Sequence, residues 1–156
     1  MSDVTTPNTV RSNTTHLLVF PYNGNGLEAL DCTVGSYAVR AFVDDAPEKI
    51  GQTPYGFPVL TRAAFSDFPD DAVLAVPGGP RSFRERSAAI ASLNIDPERF
   101  ARVVHGSACV SRLAVVGRNV LLMAGVVVTS NAVIGDHVCI LPNSVVHHDA
   151  VIGSYA

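Results

Sequence analysis

The stretch Val104–Ala156, VHGSACVSRLAVVGRNVLLMAGVVVTSNAVIGDHVCILPNSVVHHDAVIGSYA, carries an aliphatic residue on every sixth position without a miss. These are Val104, Val110, Val116, Leu122, Val128, Ile134, Ile140, Val146 and Ile152. Four places after each stands a small residue or a valine: Ala108, Ala114, Val120, Val126, Ala132, Val138, Ser144, Ala150 and Ala156. A helix repeats at 3.6 residues and a flat strand at 2, so a strict period of six needs short strands joined by tight corners, wound as a solenoid. Strand side chains alternate, so in Ala150-Val151-Ile152 the outer two share the inward face. Three rungs close a triangular coil, and nine rungs give about three coils around a narrow aliphatic core. The intervening row, Val103, Cys109, Val115, Leu121, Val127, Val133, Cys139, Val145 and Val151, points outward and is also apolar. Apolar surface of that extent marks an interface, and a homo-oligomer is expected.

The remaining composition narrows the function classes. The chain has 156 residues, 47% hydrophobic and only 16% charged, with a net charge of −3. It is therefore an ordered chain, and neither nucleic acid nor an anionic membrane is favoured as a partner. The polar opening MSDVTTPNTVRSNTT lacks the apolar run of a signal peptide, and no stretch reaches the length of a membrane span. Cys32, Cys109 and Cys139 are odd in number and widely spaced, which offers neither a disulfide framework nor a zinc-finger spacing. A cytoplasmic location is the expectation.

Upstream of the solenoid, strands and helices alternate. Residues 1–14 are expected to be a disordered tail. His16 to Phe20 is a short apolar strand, followed by the turn-rich Pro21 to Gly26 and a helix over Leu27 to Val34. Tyr37 to Val43 is a strand running into Asp44-Asp45, and Ala46 to Pro58 is a loop with three prolines. Thr61 to Phe68 reads as a helix capped by Thr61. Ala72 to Val76 is a buried strand, and Ser82 to Leu93 a helix opened by the capping-box pair Ser82 and Glu85. This order predicts a small parallel α/β unit over 15–102, followed by the solenoid over 103–156.

Open parallel sheets bind ligands at the carboxyl ends of their strands. Here that edge gathers Asn23, Gly24, Asn25 and Gly26, then Asp44 and Asp45, then Gly78, Gly79, Pro80 and Arg81. The glycine loop and a carboxylate 20 residues after Gly24 suit a nucleotide, with amides facing phosphates and Asp44 facing a ribose or base. GxGxxG itself is missing, since Gly24-Asn25-Gly26 is followed by Leu27-Glu28-Ala29.

Taken together, these pieces resemble the bacterial sugar O- and N-acyltransferases of the sialic-acid O-acetyltransferase type. The resemblance rests on the glycine loop after the first strand, Ala41-Phe42-Val43-Asp44-Asp45, Pro58-Val59-Leu60 and Ala75-Val76-Pro77-Gly78. It continues through Val104-His105-Gly106-Ser107-Ala108 and ends on His147-His148-Asp149-Ala150-Val151-Ile152-Gly153. It implies a Rossmann-like N-terminal α/β subdomain and a left-handed parallel β-helix of hexapeptide repeats, assembled as a homotrimer. Left-handed winding runs against the usual crossover rule and is implied by the resemblance alone.

The same resemblance implies transfer of an acetyl group from acetyl-CoA to an amine or hydroxyl of a sugar. The sugar is commonly linked to a nucleotide, in glycan or surface-polysaccharide biosynthesis. The catalytic histidine maps onto His148 and the acid beside it onto Asp149. Imidazole titrates near neutrality and can take a proton from the attacking group, and a neighbouring carboxylate can orient it. One coil back, 18 residues earlier, Ser130 and Asn131 lie beneath His148 and Asp149 as a polar patch. His147 is expected to support its neighbour, His105 to be structural, and His137 to be an exposed corner residue without a partner.

Three departures bear on these expectations. The first loop lacks the histidine that relatives carry in Gly-x-Gly-Gly-His-Gly, and Leu141-Pro142 stands where many have Asn-Thr. Relatives also continue through further coils that supply most of the CoA-binding surface. The chain is therefore expected to be a C-terminally truncated member, with the α/β unit covering one end of the coil. Two other functions fit parts of the sequence: a non-catalytic nucleotide-sugar-binding or oligomerisation module, and an NAD(P)-linked enzyme using Asp44. A histidine-ligated zinc site like that of the γ-class carbonic anhydrases is not supported by the spacings, and no metal is expected.

Overall fold

The computed structural model describes residues 14–79 and 82–156. The expected tail lies outside the described residues apart from Thr14, as do Pro80 and Arg81 of the sheet-edge loop. Four strands form a parallel sheet: β1 (His16–Phe20), β2 (Ala38–Val43), β3 (Val59–Leu60) and β4 (Ala72–Ala75), in the order β3-β2-β1-β4. Leu17, Leu18 and Val19 are all fully buried, the continuous apolar run of a strand covered on both faces. One face packs Leu18, Ala41, Val43 and Val73 against Phe65, Ile90 and Leu93. The other packs Leu17, Val19, Phe42 and Leu74 against Ala29 and Cys32.

The helices depart from the sequence expectation in ways that local chemistry explains. Helix α1 spans Gly24–Cys32 and not 27–34, because the Asn23 side chain accepts a hydrogen bond from the Gly26 amide at 2.8 Å and caps the helix three residues early. Helix α2 shrinks to Ala64–Asp67, and the Thr61 side chain makes no capping bond. The third helical stretch opens as a 3-10 turn, Phe83–Glu85, and becomes helix α3 only over Arg86–Ala91. The Ser82 side chain caps nothing, so the capping box is not formed. Val59–Leu60, just past the loop read over 46–58, is a strand to which the sequence reading gave no element.

The hexads form nine short strands: β5 (Arg102–Val104), β6 (Cys109–Val110), β7 (Val115–Val116), β8 (Val120–Leu122), β9 (Val127–Val128), β10 (Val133–Ile134), β11 (Cys139–Ile140), β12 (Val145–Val146) and β13 (Val151–Ile152). They stack as three parallel sheets, β5-β8-β11, β6-β9-β12 and β7-β10-β13, each register advancing by 18 residues. The interior is the predicted aliphatic column, with Leu122, Val128, Ile134 and Val146 packed against Val120, Val126, Ala132 and Val138.

Corners carry a second period of six. Asn119, Gly125, Asn131, His137, Asn143, Asp149 and Tyr155 all take positive φ, between 53° and 69°. Asn, Asp and Gly tolerate that region best, which accounts for five of the seven identities. Several of these residues donate their amide to the coil above, as His137 does to the Arg118 carbonyl at 2.7 Å and Asp149 to that of Ser130 at 3.1 Å.

The two units meet along one side of the solenoid, which corrects the expectation that the α/β unit covers an end. Val103 and Leu121 point outward as predicted, yet both are 0% exposed because helix α1 and the β-sheet core pack on them. Burying each stabilises the junction by about 1.5–3 kcal/mol. Val104, on the inner row, remains 37% exposed. On the other two faces the outward Val115, Val133, Val145 and Val151 stay exposed, and Val127 is half-buried.

Candidate active site and ligand cleft

His148 and Asp149 occupy the corner after β12. Its positive φ of 60° turns the Asp149 carboxylate back toward the preceding ring. His148 Nδ1 lies 2.7 Å from Asp149 Oδ2, and Asn131 Nδ2 donates to Asp149 Oδ1 at 3.2 Å. A carboxylate only accepts, so Nδ1 is the donor, and in the neutral imidazole Nε2 keeps a free lone pair. Bonds from His148 and then Asn131 hold the Asp149 carboxyl below its ordinary value, so it stays ionised beside the ring. Both side chains are open to solvent, at 60% and 66% exposure, and the His147 ring lies 4.3 Å from that of His148. The corner is thus a carboxylate-oriented imidazole with its basic nitrogen unobstructed by that carboxylate.

The sheet-edge candidates divide among three places. Asn23 is structural on both sides: it caps α1 and its Nδ2 donates to the Val76 carbonyl at 3.2 Å. Gly26 is required there because a Cβ would stand 2.5 Å from the Pro21 carbonyl oxygen. Gly24 opens the helix and, with Asn25, leaves its amide without an intrahelical acceptor.

Asp44 is committed within the protein. Its Oδ2 accepts from the Tyr22 amide at 2.9 Å and from Lys49 Nζ at 3.0 Å, and its Oδ1 accepts from the Ala46 amide at 2.9 Å. A carboxylate so occupied fastens loops together, in place of the ribose contact expected of it. Asp45 is exposed and held by Arg62 in a bidentate pair at 2.7 and 2.6 Å. Both acids line a depression of about 590 Å³ with Pro47, Ile50 and Thr61.

Asn25, Gly78 and Gly79 come together in a separate cleft of about 340 Å³ between the two units. Its other walls are Phe83, Arg86, Cys139 and Leu141, none of which the sequence reading selected. The cleft follows β11 and the corner after it, whereas His148 stands on the next corner, after β12. The two sites share no lining residue.

His137 corrects another expectation. It is half-buried and well partnered: Nδ1 accepts from Asn119 Nδ2 at 3.0 Å, and the ring stacks on Tyr155 and meets Phe100 edge-on. Burial pulls its pKa below the ordinary histidine value. Asn119, fully buried, bonds the β4 backbone both ways, from Ala75 N and to Ala75 O, each at 2.7 Å. Among the described residues, no three His, Cys, Asp or Glu side chains converge as metal ligands, and no helix is long and apolar enough to cross a membrane.

Comparison with known proteins agrees with the hexad solenoid. The family description "Bacterial transferase hexapeptide (six repeats)" matches residues 113–148. The acetyltransferase domain of PglB from Neisseria gonorrhoeae FA1090, solved with acetyl coenzyme A, is 24% identical with a TM-score of 0.72, over 91% of this chain and 69% of that one. PerB from Caulobacter crescentus, solved with CoA and GDP-perosamine, is 21% identical with a TM-score of 0.73, over 93% and 68% of the two chains. WeeI from Acinetobacter baumannii AYE is 24% identical with a TM-score of 0.70, over 91% and 68%. A search of curated protein sequences finds no significant match. The chain carries bacterial transferase hexapeptide repeats on a left-handed β-helix, the fold of these structures, with an α/β unit at its N-terminal side.

Proposed function

We propose that this protein transfers the acetyl group of acetyl-CoA to an amine or hydroxyl of a nucleotide-linked sugar, with His148 as general base. The observation that carries the reading is the 2.7 Å bond between His148 Nδ1 and the ionised Asp149, on an exposed corner where Nε2 can meet an acceptor. Two structures of similar fold hold acetyl coenzyme A, or CoA with GDP-perosamine, which supports both substrate classes.

In this mechanism the acceptor nitrogen or oxygen attacks the thioester carbonyl while Nε2 takes its proton. The imidazolium that forms is stabilised by Asp149. Collapse of the tetrahedral intermediate breaks the C–S bond, and the proton passes from Nε2 to the departing CoA sulfur. Asn131 positions Asp149 throughout. Use of acetyl-CoA assigns the reaction to the cytoplasm, and a nucleotide-linked acceptor fits glycan or surface-polysaccharide assembly.

The exposed valines on two solenoid faces support a homotrimer, in which the cleft of one copy and the His148 corner of another can face a shared acceptor. The test is thiol release from acetyl-CoA in the presence of UDP- or GDP-linked amino sugars. Wild-type turnover that is lost in His148→Ala, with acetyl-CoA still bound, is the expected result. Turnover by His148→Ala at the wild-type rate would overturn the assignment. Ligand binding by the wild type with no acceptor-dependent thiol release would favour the binding-module reading.

A further inference from the structure

Among the described residues Arg86 is the one charged side chain lining the 340 Å³ cleft, and its chemistry is unfinished. The residue is only 7% exposed, yet Nε and Nη2 have no hydrogen-bond partner among the described residues. No carboxylate pairs with it there either. A buried, unpaired guanidinium is costly, and proteins hold one where a ligand completes it. The nearby Cys139 is no substitute, because burial raises its thiol above the ordinary value and keeps it neutral.

The groups around Arg86 favour an anion with more than one oxygen. Across the cleft, Asn25 stands in the first turn of α1, where backbone amides and the helix dipole attract negative charge. Gly78 and Gly79 bring side-chain-free backbone to the rim, Gly78 at a φ of 110°. Phe83, 61% exposed, supplies an aromatic wall beside the cation. A guanidinium fork matches the oxygens of phosphates in a bidentate way that a lysine does not.

We infer that Arg86 is a binding residue for a diphosphate group, which enters the cleft between the start of helix α1 and the Gly78-Gly79 turn. The inference deepens the proposed function by assigning this cleft a ligand chemistry, and it rests on that reading only for the source of the group. Both the nucleotide-linked sugar and CoA contain a diphosphate, so either can supply it.

The test measures thermal stabilisation and calorimetric affinity of the full chain with inorganic pyrophosphate, UDP, GDP and CoA. Arg86→Met and Arg86→Lys are the variants. The wild type is expected to bind pyrophosphate. Arg86→Met should weaken it at least tenfold, with Arg86→Lys in between. Preference for UDP or GDP over CoA assigns the site to the acceptor; preference for CoA assigns it to the acetyl donor.

Without ligand, Arg86→Met should melt at or above the wild-type temperature, because it removes an unpaired buried charge. A variant that melts well below wild type without ligand would make Arg86 a structural cation and overturn the inference. So would equal pyrophosphate affinity in wild type and Arg86→Met, or no binding of any of the four by wild type. None of these readouts depends on acetyl transfer, so the diphosphate site and the proposed activity can fail separately.

Discussion

Two corners of the solenoid are built from the same parts and put to opposite use. At one, Asn119 bonds the His137 ring in the next coil; at the other, Asn131 bonds the Asp149 carboxylate, again 18 residues on. All four residues take positive φ, and in both pairs an asparagine amide reaches down one coil. What differs is the surroundings. Strand β4, Phe100 and Tyr155 close over the first corner, so its histidine is pushed toward the neutral form and its asparagine serves as a clamp. The second lies open, so its carboxylate stays charged and its neighbouring imidazole can meet a substrate. Burial, more than residue type, decides which corner is a clamp and which is left open for the proposed chemistry.

The largest expected effect comes from emptying the open corner. His148→Ala should lower acetyl transfer by about 10²–10⁴-fold, the usual worth of a general base. Because the side chain is solvent-exposed, chemical denaturation should show an unchanged midpoint. A variant that loses stability along with activity would blur the distinction between the corners.

The reciprocal change is Asn119→Ala. It strands both the Ala75 N–H and its C=O in a buried junction and should cost about 2–6 kcal/mol, from about one to three for each orphaned group. Urea unfolding measures this directly. A loss below 1 kcal/mol would mean that the units are held by apolar packing on Val103 and Leu121 alone.

How much of this contrast was readable beforehand follows from what a repeat can encode. The strict period fixed the solenoid and its inner column, because Leu122, Val128, Ile134 and Val146 must all point inward. It could not distinguish the outward Val103 and Leu121, which are covered, from the outward Val115 and Val145, which are bare; the residues are alike and only docking separates them. The corner row from Asn119 to Tyr155 was also visible at spacing six, since Asn, Gly and Asp are what positive φ selects. Arg86 left a fainter sign: it stands four before Ile90 and seven before Leu93, a charged residue on the buried stripe of its helix. Asp44 misled for a physical reason. An acid at a strand end suits a ligand or a loop equally, and here Tyr22, Ala46 and Lys49 take its oxygens.

A subtler contrast lies in pH. The folded chain holds His137 below its ordinary value through burial, so on acidification the unfolded chain takes up a proton that the folded chain refuses. Stability from this group is therefore intact above about pH 6.5 and is lost as pH falls from there toward the folded value, at no more than about 1.4 kcal/mol per pH unit. His137→Asn keeps a residue suited to positive φ and removes the titration. Its melting temperature should vary less between pH 7 and pH 5 than that of the wild type. Parallel profiles would show that other groups carry the acid sensitivity.

The smallest effect probes the shared motif itself. Asn131→Ala removes one of the two hydrogen bonds holding Asp149 below its ordinary value, leaving the His148 bond in place. With less support for the charged form, the Asp149 carboxyl should rise toward the ordinary carboxylate range. Activity at neutral pH should then be reduced by about 2- to 10-fold, the worth of one ordinary hydrogen bond, because the ring is less firmly oriented. Stability should not change, since the corner is exposed. If Asn131→Ala instead unfolds the chain as readily as Asn119→Ala, the two corners are equivalent clamps and their division of labour is wrong. If activity falls while the fold holds, the same asparagine-to-next-coil bond secures a domain at one corner and an acid–base pair at the other.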